Sequence, residues 1–531
     1  MAARVDVGLS VRRFVAVACA LFGAAFSGAG ADSVVRCNEI MYHPPSGGGD
    51  LEWVELYNAL SYDMDISGWR LAGGIEFTFP IGMTIPSEGF VVVAKSPSAL
   101  EAETGLTGVC GPFDGQLSNG GEVLRLLNNS GRVMDELDYG DGGDWPSVPD
   151  GSGASLAKVT PWTSSLDPDH WAHSAAIGGT PGAANFPAGR TRSALVLNEI
   201  ESVTNALWWI EIANRTDTTV NPAGYIVSID NDPLREYVIT NTALPPGGFL
   251  PIDESKLGFD AVDEECLFLY APGRTNVIDG RTCKKTLRGR SGRYPDRWLY
   301  PDAPTPGAAN SFTFADDVVI NELMYHHQVT NSTSPYVESD EEWIELFNRG
   351  TGTVDLSGWR IAGGVSFEFP EGFASAGGTF IVLASDAATF TNKHPGIPVA
   401  GEFSGRLSNR GECIALTDRR GNPADEVRYA DGGRWPAAAD GGGSSLELRN
   451  PFADNGTAEA WAASDESAES RWKTYTYRRT ASASSVGPDG QWHEFVMGLL
   501  DAGDILLDDI SVIEDPDGAA IQLIPTRDFE A

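Results

Sequence analysis

Short apolar runs alternate with turn-forming residues along most of the chain. Val54 and Leu56 lie two positions apart with Glu55 between them, and the apolar run Phe90–Ala94 follows a glycine. A period of two, and brief apolar runs between turn signals, are typical of β-strands. The 61 glycines and 32 prolines supply many turns, and no sustained helical period occurs after the N-terminal region. We therefore predict an all-β protein built from antiparallel β-sandwiches.

The chain repeats itself at a distance of 290 residues. Residues 65–80 return as 355–370 with eleven of sixteen positions identical, and residues 52–58 return as 342–348. This distance exceeds the roughly 20–50 residues of solenoid units. The repeat therefore indicates duplication of whole domains.

A weaker copy lies between the two strong ones. It opens with Asn-Glu-Ile at 198–200 and ends in Thr-Pro-Gly-Ala-Ala-Asn at 305–310, which repeats residues 180–185. The predicted segments are a leader at 1–31, domain 1 at 32–190, a degenerate domain 2 at 191–312, domain 3 at 313–466 and an incomplete β segment at 467–531.

The N-terminal leader has the features of a secretory signal peptide. Three arginines precede an apolar run at 14–26, and small residues follow at 27–31. The run is shorter than the roughly 20 residues that span a bilayer. We therefore expect a protein without a membrane span that is secreted or otherwise extracytoplasmic, in the periplasm, at the cell surface or outside the cell.

The chain is strongly acidic, with 37 basic and 74 acidic residues and a net charge of −37. Such a surface repels phosphate backbones, which makes nucleic acid a poor partner. It also keeps the protein soluble and attracts cations and basic proteins.

Five cysteines follow the leader, and an oxidising compartment would allow them to form disulfides. In domain 3, Ile320 and Ala400 replace two of them together, as expected if those two act as one unit. Cys413 occupies a strand position where domain 1 has Val123, and is interpreted as a small core residue. The predicted disulfides are Cys37–Cys110 and Cys266–Cys283.

Four motifs recur in fixed order in the strong copies. Domain 1 carries them as Asn-Glu-Ile-Met-Tyr at 38–42, Glu-Trp-Val-Glu-Leu-Tyr-Asn at 52–58, Asp-Ile-Ser-Gly-Trp at 65–69 and Leu-Ser-Asn-Gly-Gly-Glu at 117–122. They resemble the lamin-tail domain as found in secreted bacterial proteins. The resemblance is strong over 32–186 and 317–465 and weak over 194–310.

This resemblance implies tandem immunoglobulin-like sandwiches. In bacteria the family is an accessory module, often beside nucleases, phosphohydrolases or spore-coat-H-type kinases, and it brings no catalytic residues. The chain as given is therefore expected to be non-catalytic, with no cofactor.

Each copy carries two glutamates at matching positions. Paired carboxyl groups can act as acid and base on glycosides, but an enzyme needs one such pair rather than three. We therefore expect the glutamates to serve the fold by accepting backbone or tryptophan N–H bonds. The pairs are Glu39 and Glu55, Glu199 and Glu211, and Glu322 and Glu345.

Two further groups of residues have a structural and a functional interpretation. Asp141, Asp144 and Asp150 lie in a glycine-rich loop, which makes them weak candidates for calcium binding, although aspartate is also a common turn former. Trp69 and Trp359 follow Ser-Gly turns. They could stack on sugars, but a core position in each sandwich is favoured.

Two functions remain open at this point. The first is a secreted, non-catalytic binding, adhesion or spacer protein whose partner is an extracellular protein or glycan. The second is the accessory region of a larger secreted enzyme, namely a spore-coat-H-type kinase, a nuclease or a carbohydrate-active enzyme, whose catalytic domain lies outside this chain.

The segment after 466 favours the second possibility in one respect. Residues 472–477, 491–497 and 504–512 have strand patterns, and the last resembles the closing strand of jelly-roll modules. So few strands are marginal alone. We expect a jelly-roll that continues past Ala531, the alternative being that these strands pack on domain 3.

Overall fold

A computed structural model describes residues 3–12, 34–45, 49–143, 145–190, 192–294, 297–327, 341–465, 472–481 and 506–523. Strands dominate throughout, as predicted. The chain divides into two compact units. One is Ala25–Thr313, which holds domains 1 and 2, and the other combines Met1–Ala24 with Phe314–Ala531.

Domain 1 is a sandwich of two antiparallel sheets. In spatial order, its first sheet contains Trp171–Ile177, Ala154–Lys158, Val35–Met41, Trp53–Asn58 and Phe90–Ala94. Its second sheet contains Val133–Gly140, Gly121–Leu127, Arg70–Ala72, Ile75–Thr78 and Asp114–Gly115. Two short strands, Met64–Asp65 and Thr84–Ile85, pair separately, and one helix spans Pro97–Thr104.

Domain 3 repeats this architecture. Its first sheet contains Val399–Glu402, Phe380–Ala384, Trp343–Asn348, Val318–Met324, Leu446–Leu448 and Trp461–Ala463. Its second sheet contains Ser404–Gly405, Val365–Glu368, Arg360–Ala362, Gly411–Thr417 and Pro423–Ala430. Val354–Asp355 pairs with Ala374–Ser375, and the helix is Ala387–Lys393.

Domain 2 is a smaller version of the same sandwich. Its first sheet contains Phe249–Asp253, Trp209–Asn214, Leu195–Ile200, Arg288–Arg290 and Trp298–Leu299. Its second sheet contains Glu236–Val238, Ile226–Ile229, Cys266–Tyr270 and Val277–Thr282, and its helix is Glu254–Leu257. Short 3₁₀ turns lie at Gly49–Leu51, Pro168–His170, Pro272–Arg274, Ala437–Ala439 and Ala458–Ala460.

The two repeated tryptophans lie in the cores of their sandwiches. Trp69 is 6% exposed and Trp359 is 4% exposed, and each packs among aliphatic side chains from both sheets. Alternate residues of the facing strands supply these contacts, as the two-residue period requires. The predicted core position is confirmed, and neither ring is available for stacking on a sugar.

The first strand of every domain contains a β-bulge at the same asparagine. The pairing register shifts between Cys37 and Glu39 in domain 1, and at the equivalent positions in domains 2 and 3. A bulge leaves one residue without a cross-strand partner and re-aims its neighbours. The extra residues are Asn38, Asn198 and Asn321.

Domains 1 and 2 share a buried apolar interface. In domain 1, Val148 from a loop and Ala154 from the start of a strand pack against Phe268, Tyr270 and neighbouring residues of domain 2. Polar bonds frame this cluster: the Ser147 hydroxyl donates to the carbonyl of Gly280 at 2.8 Å, and the Tyr270 hydroxyl donates to the carbonyl of Ser152 at 3.0 Å. The two domains therefore form one packed block.

A further sheet joins the two ends of the chain. Ala3–Arg12 pairs with Trp472–Ala481 on one side and with Leu506–Glu514 on the other, and Ile521–Gln522 completes the sheet. The predicted strand at 491–497 lies outside the described residues, as does most of the predicted leader. Removal of the leader and a jelly-roll after 466 both stay predictions. No helix among the described residues has the length and apolarity needed to cross a bilayer.

The predicted Cys37–Cys110 disulfide is wrong, because neither cysteine forms a disulfide in the described part of the chain. Cys37 lies in the first strand, while Cys110 bridges to Val93 at the far edge of the same sheet. Two strands lie between them, so the separation is about 14 Å at the usual spacing of about 4.8 Å. A disulfide needs Cα atoms within about 7 Å.

The Cys266–Cys283 disulfide is also wrong, for a different reason. Cys266 pairs with Thr282 in neighbouring strands, so Cys283 is one residue out of register with it. Successive side chains in a strand point to opposite faces. Cys266 accordingly lies in the interface with domain 1, and Cys283 lies in the core of domain 2.

Candidate functional site

The paired glutamates of domain 1 face each other across two neighbouring strands. Glu39 is opposite Glu55 in the ladder, and both are fully buried. They lie on the face of the first sheet that is turned away from the second sheet, which we call the outer face. Met41 and Trp53, which are also cross-strand partners, lie two residues further along the same face.

A segment that follows the last strand of domain 1 closes over this pair. We call Thr180–Asn185, with the sequence Thr-Pro-Gly-Ala-Ala-Asn, the closing segment. Thr180 donates its backbone N–H to Glu39 at 2.9 Å and its hydroxyl at 2.8 Å. Gly182 donates its N–H to Glu55 at 2.6 Å, and Asn38 donates its amide to the other oxygen at 2.7 Å.

The last residue of the closing segment binds the backbone of the sandwich. The Asn185 amide donates to the carbonyls of Asn38 at 3.0 Å and Lys158 at 2.9 Å. These carbonyls lie beside the bulge, where the regular ladder is interrupted. The closing segment therefore satisfies polar groups that the sheet itself leaves unpaired.

Domain 2 uses the same arrangement with its own closing segment at 305–310. Thr305 donates its N–H and hydroxyl to Glu199 at 3.2 and 2.9 Å, and Gly307 donates to Glu211 at 2.5 Å. Asn310 donates to the carbonyl of Asn198 at 3.0 Å. In both domains the glutamates accept backbone N–H bonds, which agrees with the structural role expected for them.

Domain 3 keeps the glutamates but not the Thr-Pro-Gly sequence. Glu322 and Glu345 face each other in the same register, and the Asn321 amide donates to Glu345 at 2.9 Å. The sequence Thr-Pro-Gly occurs in the chain only at 180–182 and 305–307. Both glutamates of domain 3 are half-buried, whereas their counterparts in domains 1 and 2 are fully buried.

Burial makes the enclosed carboxyl groups hold their protons. Desolvation raises the pKa of Glu39 to about 7, and desolvation together with the nearby Glu39 raises the pKa of Glu55 to about 8. Desolvation also raises the pKa of Glu199 to about 7, and that of Glu345 in the same direction. In domains 1 and 2 these acids are covered by the closing segments.

A cleft opens on the outer face of domain 3. It is small, with a volume of about 40 Å³, and lies between the first sheet and the helix Ala387–Lys393. Trp343 and Phe390 pack edge to face at 5.7 Å, and His394 stacks on Phe390 at 4.7 Å. The cleft is lined by Met324, His327, Glu341, Trp343, Thr389, Phe390, Lys393 and His394.

The rim of this cleft is charged. Glu341 binds His327 Nε2 at 2.8 Å and also pairs with the ammonium group of Lys393. An aromatic floor with a few polar groups at its edge is a common composition for a ligand site. Domain 1 has no equivalent of this charged rim, because Leu51 stands where domain 3 has Glu341.

In domain 1 the chain itself covers the corresponding surface. A Cβ atom added at Gly179 would lie 2.7 Å from the ring of Trp53 and 2.8 Å from Glu39. Glycine is therefore required where the chain passes over the tryptophan into the closing segment. Trp343, in the cleft of domain 3, is the counterpart of Trp53. Residues 466–471, which follow the last strand of domain 3, lie outside the described residues.

The calcium candidates do not form a metal site among the described residues. Asp150 pairs with His43 and accepts a bond from Cys266 at 3.1 Å. Burial and the nearby Asp150 raise the pKa of Asp141, and Asp144 lies outside the described residues. The same histidine–aspartate pair recurs in domain 3 as His326 and Asp440.

An aspartate in each domain, buried in domains 1 and 2 and half-buried in domain 3, was missed in the sequence analysis. Asp135 accepts the N–H of Cys37 at 2.8 Å, Asp279 that of Leu197 at 3.1 Å, and Asp425 that of Ile320 at 2.6 Å. Each therefore caps the backbone immediately before the bulge. The recurrence of Asp135 and Asp425 at a distance of 290 residues was the available signal.

Two comparisons with solved structures give only weak similarity. A DUF4876 family protein from Bacteroides thetaiotaomicron is 10% identical, with a TM-score of 0.21 over 48% of this chain and 90% of that chain. The exo-β-D-glucosaminidase CsxA is 14% identical, with a TM-score of 0.11 over 44% of this chain and 25% of that chain. Both TM-scores are too low to support an argument. No curated protein matches the chain.

The family comparison agrees with the repeats and the sandwiches. The model of the Lamin Tail Domain matches residues 29–141 and 313–431, which lie in domains 1 and 3. Both regions carry the paired glutamates, the core tryptophan and the immunoglobulin-like sandwich described above. The chain therefore contains repeated copies of the lamin tail domain, at residues 29–141 and 313–431.

Proposed function

We propose that this chain is a non-catalytic, extracytoplasmic binding protein whose ligand occupies the outer face of domain 3. Domains 1 and 2 act as a packed spacer block. The observation that carries the proposal is the difference between the copies. The outer face is closed by the chain's own segment in domains 1 and 2, while domain 3 presents a cleft there with an aromatic floor.

The chemistry of the cleft supports binding rather than catalysis. Glu341 is paired with both His327 and Lys393, so its charge is compensated. Glu322 and Glu345 are the counterparts of the glutamates that bind the closing segments in domains 1 and 2. Reuse of the same acids in three copies supports a structural origin for them.

A second function remains compatible with this site. The chain could be the accessory region of a larger secreted enzyme, in which domain 3 brings the catalytic domain to its substrate. Both functions use the same binding face. The reading frame beyond codon 531 distinguishes them, since only the second requires a catalytic domain there.

Binding through the cleft can be tested with a matched pair of variants. Thr389→Arg fills the cleft, while Phe452→Ala removes an exposed aromatic side chain of domain 3 outside it. The full chain is tested against an immobilised glycan panel and a phage-displayed peptide library. At least one probe should bind the wild type and Phe452→Ala but not Thr389→Arg.

Two results would contradict the proposal. One is a panel in which no probe binds, or in which every bound probe binds Thr389→Arg equally well. The other is hydrolase, nuclease or kinase activity of the purified chain that disappears in Glu345→Gln.

A further inference from the structure

We propose that domain 2 binds a small oxyanion, of the carboxylate, sulfate or phosphate type, at the edge of its sandwich that carries Arg288, Trp298 and Tyr300. This site lies in a different domain from the cleft of the proposed function and does not depend on it. The inference starts from a difference between the three copies. Domain 2 has arginines at two positions where domains 1 and 3 have apolar core residues.

Arg288 occupies the first of these positions. It pairs with Ile200, which lies two residues after the bulge asparagine in the first strand of domain 2. At the same position of the ladder, domain 1 has Leu156 and domain 3 has Leu446, both fully buried. The side chain of Arg288 therefore starts on the core-facing side of the first sheet, and it is half-buried.

A second arginine replaces a core residue in the facing sheet. Arg281 lies two residues after the capping aspartate Asp279, where domain 1 has Leu137 and domain 3 has Val427, both fully buried. Asp279 pairs with Arg281 at 3.5 Å and with Arg290, on the first sheet, at 2.6 Å. One aspartate thus serves two arginines, and neither of them is Arg288.

No carboxylate pairs with Arg288 in the described part of the chain. Its guanidinium group donates to the carbonyl of Trp298 and stacks on Tyr300, with 4.2 Å between Cζ and the centre of the ring. Burial lowers the pKa of Arg288, because the charged form loses hydration. A half-buried cation without an opposite charge is unfavourable, and a bound anion would supply that charge.

Two N–H groups at this edge are buried and have no acceptor among the described residues. They are Nε of Arg288 and Nε1 of Trp298. In domain 1 the equivalent tryptophan, Trp171, donates to the carbonyl of Ser165 at 3.1 Å. Buried N–H groups are almost always paired. An oxyanion offers both a negative charge and several acceptor oxygens, so it would satisfy the arginine and the tryptophan together.

The sequence around the site is basic although the chain as a whole is acidic. Residues 281–300 contain seven arginines and lysines and one aspartate, whereas the net charge of the chain is −37. The basic segment attracts an anion at short range, while the charge of the remaining chain repels a long polyanion. A small oxyanion, either free or as the acidic group of a sugar, therefore fits this site better than a nucleic acid does.

Equilibrium dialysis of the full chain against radioactive sulfate tests the site, with sodium chloride keeping the ionic strength constant. A single sulfate per chain should bind saturably. Arg288→Leu introduces the residue that domains 1 and 3 carry at this position, so it should fold, and it should weaken sulfate binding by about tenfold or more. Lys256→Leu removes the same charge from the helix beside the opposite edge strand of that sheet and should leave binding unchanged.

Competition identifies the source of the oxyanion. Sodium phosphate and sodium glucuronate are each added to the chain with bound sulfate. Displacement by glucuronate at the lower concentration indicates the acidic group of a sugar, and displacement by phosphate at the lower concentration indicates a free inorganic ion. Either order supports an oxyanion site.

A second variant guards against loss of folding. Trp298→Phe keeps an aromatic ring and removes the indole N–H, so it should weaken sulfate binding by about threefold or more while thermal unfolding shows a folded domain. Absence of saturable binding to the wild type, or unchanged binding by either variant in a folded chain, would overturn the inference. Thr389→Arg, in the cleft of domain 3, should bind sulfate as the wild type does, so this inference and the proposed function can fail separately.

Discussion

The carboxylate of Asp150 in domain 1 accepts a hydrogen bond from the thiol of Cys266 in domain 2, with 3.1 Å between Sγ and Oδ2. The same carboxylate pairs with His43. The loop that carries Asp150 is therefore bonded through this one carboxylate both to domain 1 and to domain 2. This bond lies at the edge of the apolar interface that makes domains 1 and 2 one block.

Disruption of that interface should separate the unfolding of domains 1 and 2. Val148 is 2% exposed in the shared cluster, so Val148→Asp buries an unpaired charge and should cost about 2–4 kcal/mol. Calorimetry should show one transition for the two domains splitting into two. The control is Ala438→Asp, at the equivalent position of domain 3. This variant should leave the single unfolding transition of domains 1 and 2 unchanged.

The closing segments should contribute measurably to stability. Thr180→Val removes the hydroxyl that binds Glu39 and leaves a buried carboxyl oxygen without that donor. A loss of about 1–3 kcal/mol is expected in denaturant unfolding. Thr305→Val should have a similar effect on domain 2, because the same bond is present there. Unchanged stability in both variants would mean that these segments do not close the sandwiches.

Domain 1 should lose stability as the pH rises from weakly acidic to weakly basic. Burial is the main cause that raises the pKa of Glu39 to about 7 and the pKa of Glu55 to about 8, from an ordinary value of 4.5. The folded state therefore binds protons more tightly than the unfolded chain. The stabilisation is complete below about pH 4.5 and is lost as the pH passes through about 7 to 8.

Glutamine at one of these positions should flatten the pH profile. Glu55→Gln removes one titrating group while keeping an oxygen that accepts hydrogen bonds, so denaturant unfolding from pH 5 to 9 should depend less on pH. Glu76→Gln, at an exposed position of the same domain, provides the comparison. An identical slope in both variants would argue against protonation of the buried pair.

The cysteines should behave as buried thiols rather than disulfides. Desolvation raises the pKa of Cys37, Cys266 and Cys283, and low thiolate content makes a thiol slow to react. Iodoacetamide should therefore leave these three unmodified in the folded protein and label them after unfolding without reductant. Peptides linked through Cys37 and Cys110 would contradict the strand order of domain 1.

The sequence analysis predicted the tandem sandwiches, the buried glutamates and the core tryptophans, because these follow from local periodicity and from the repeat. The sequence analysis predicted the disulfides wrongly, because these depend on the assembled sheets. The sheets determine how many strands separate Cys37 from Cys110, and they determine the register of Cys266. Thr-Pro-Gly-Ala-Ala-Asn was visible as a repeat. Its contact with Glu39 and Glu55 was not, because it joins residues more than a hundred positions apart.

The bulge also explains why Asp135 was overlooked. It lies in a strand whose pattern alternates between buried and exposed positions, and a buried aspartate there has no local rationale. Its partner is the backbone of Cys37, in the opposite sheet of the sandwich. Only the three-dimensional pairing shows that this acid compensates an irregularity in another strand.

The closing segments have a practical consequence for dividing the chain. Each segment lies in the sequence between the last strand of its domain and the next domain, yet its asparagine binds the first strand of its own domain. A fragment of domain 1 cut after its last strand at Ile177 would lose both the donors to Glu39 and Glu55 and the cover over Trp53. The closing segments look like linkers in the sequence but are part of the folding unit. Excised domains should therefore end after Asn185 and Asn310.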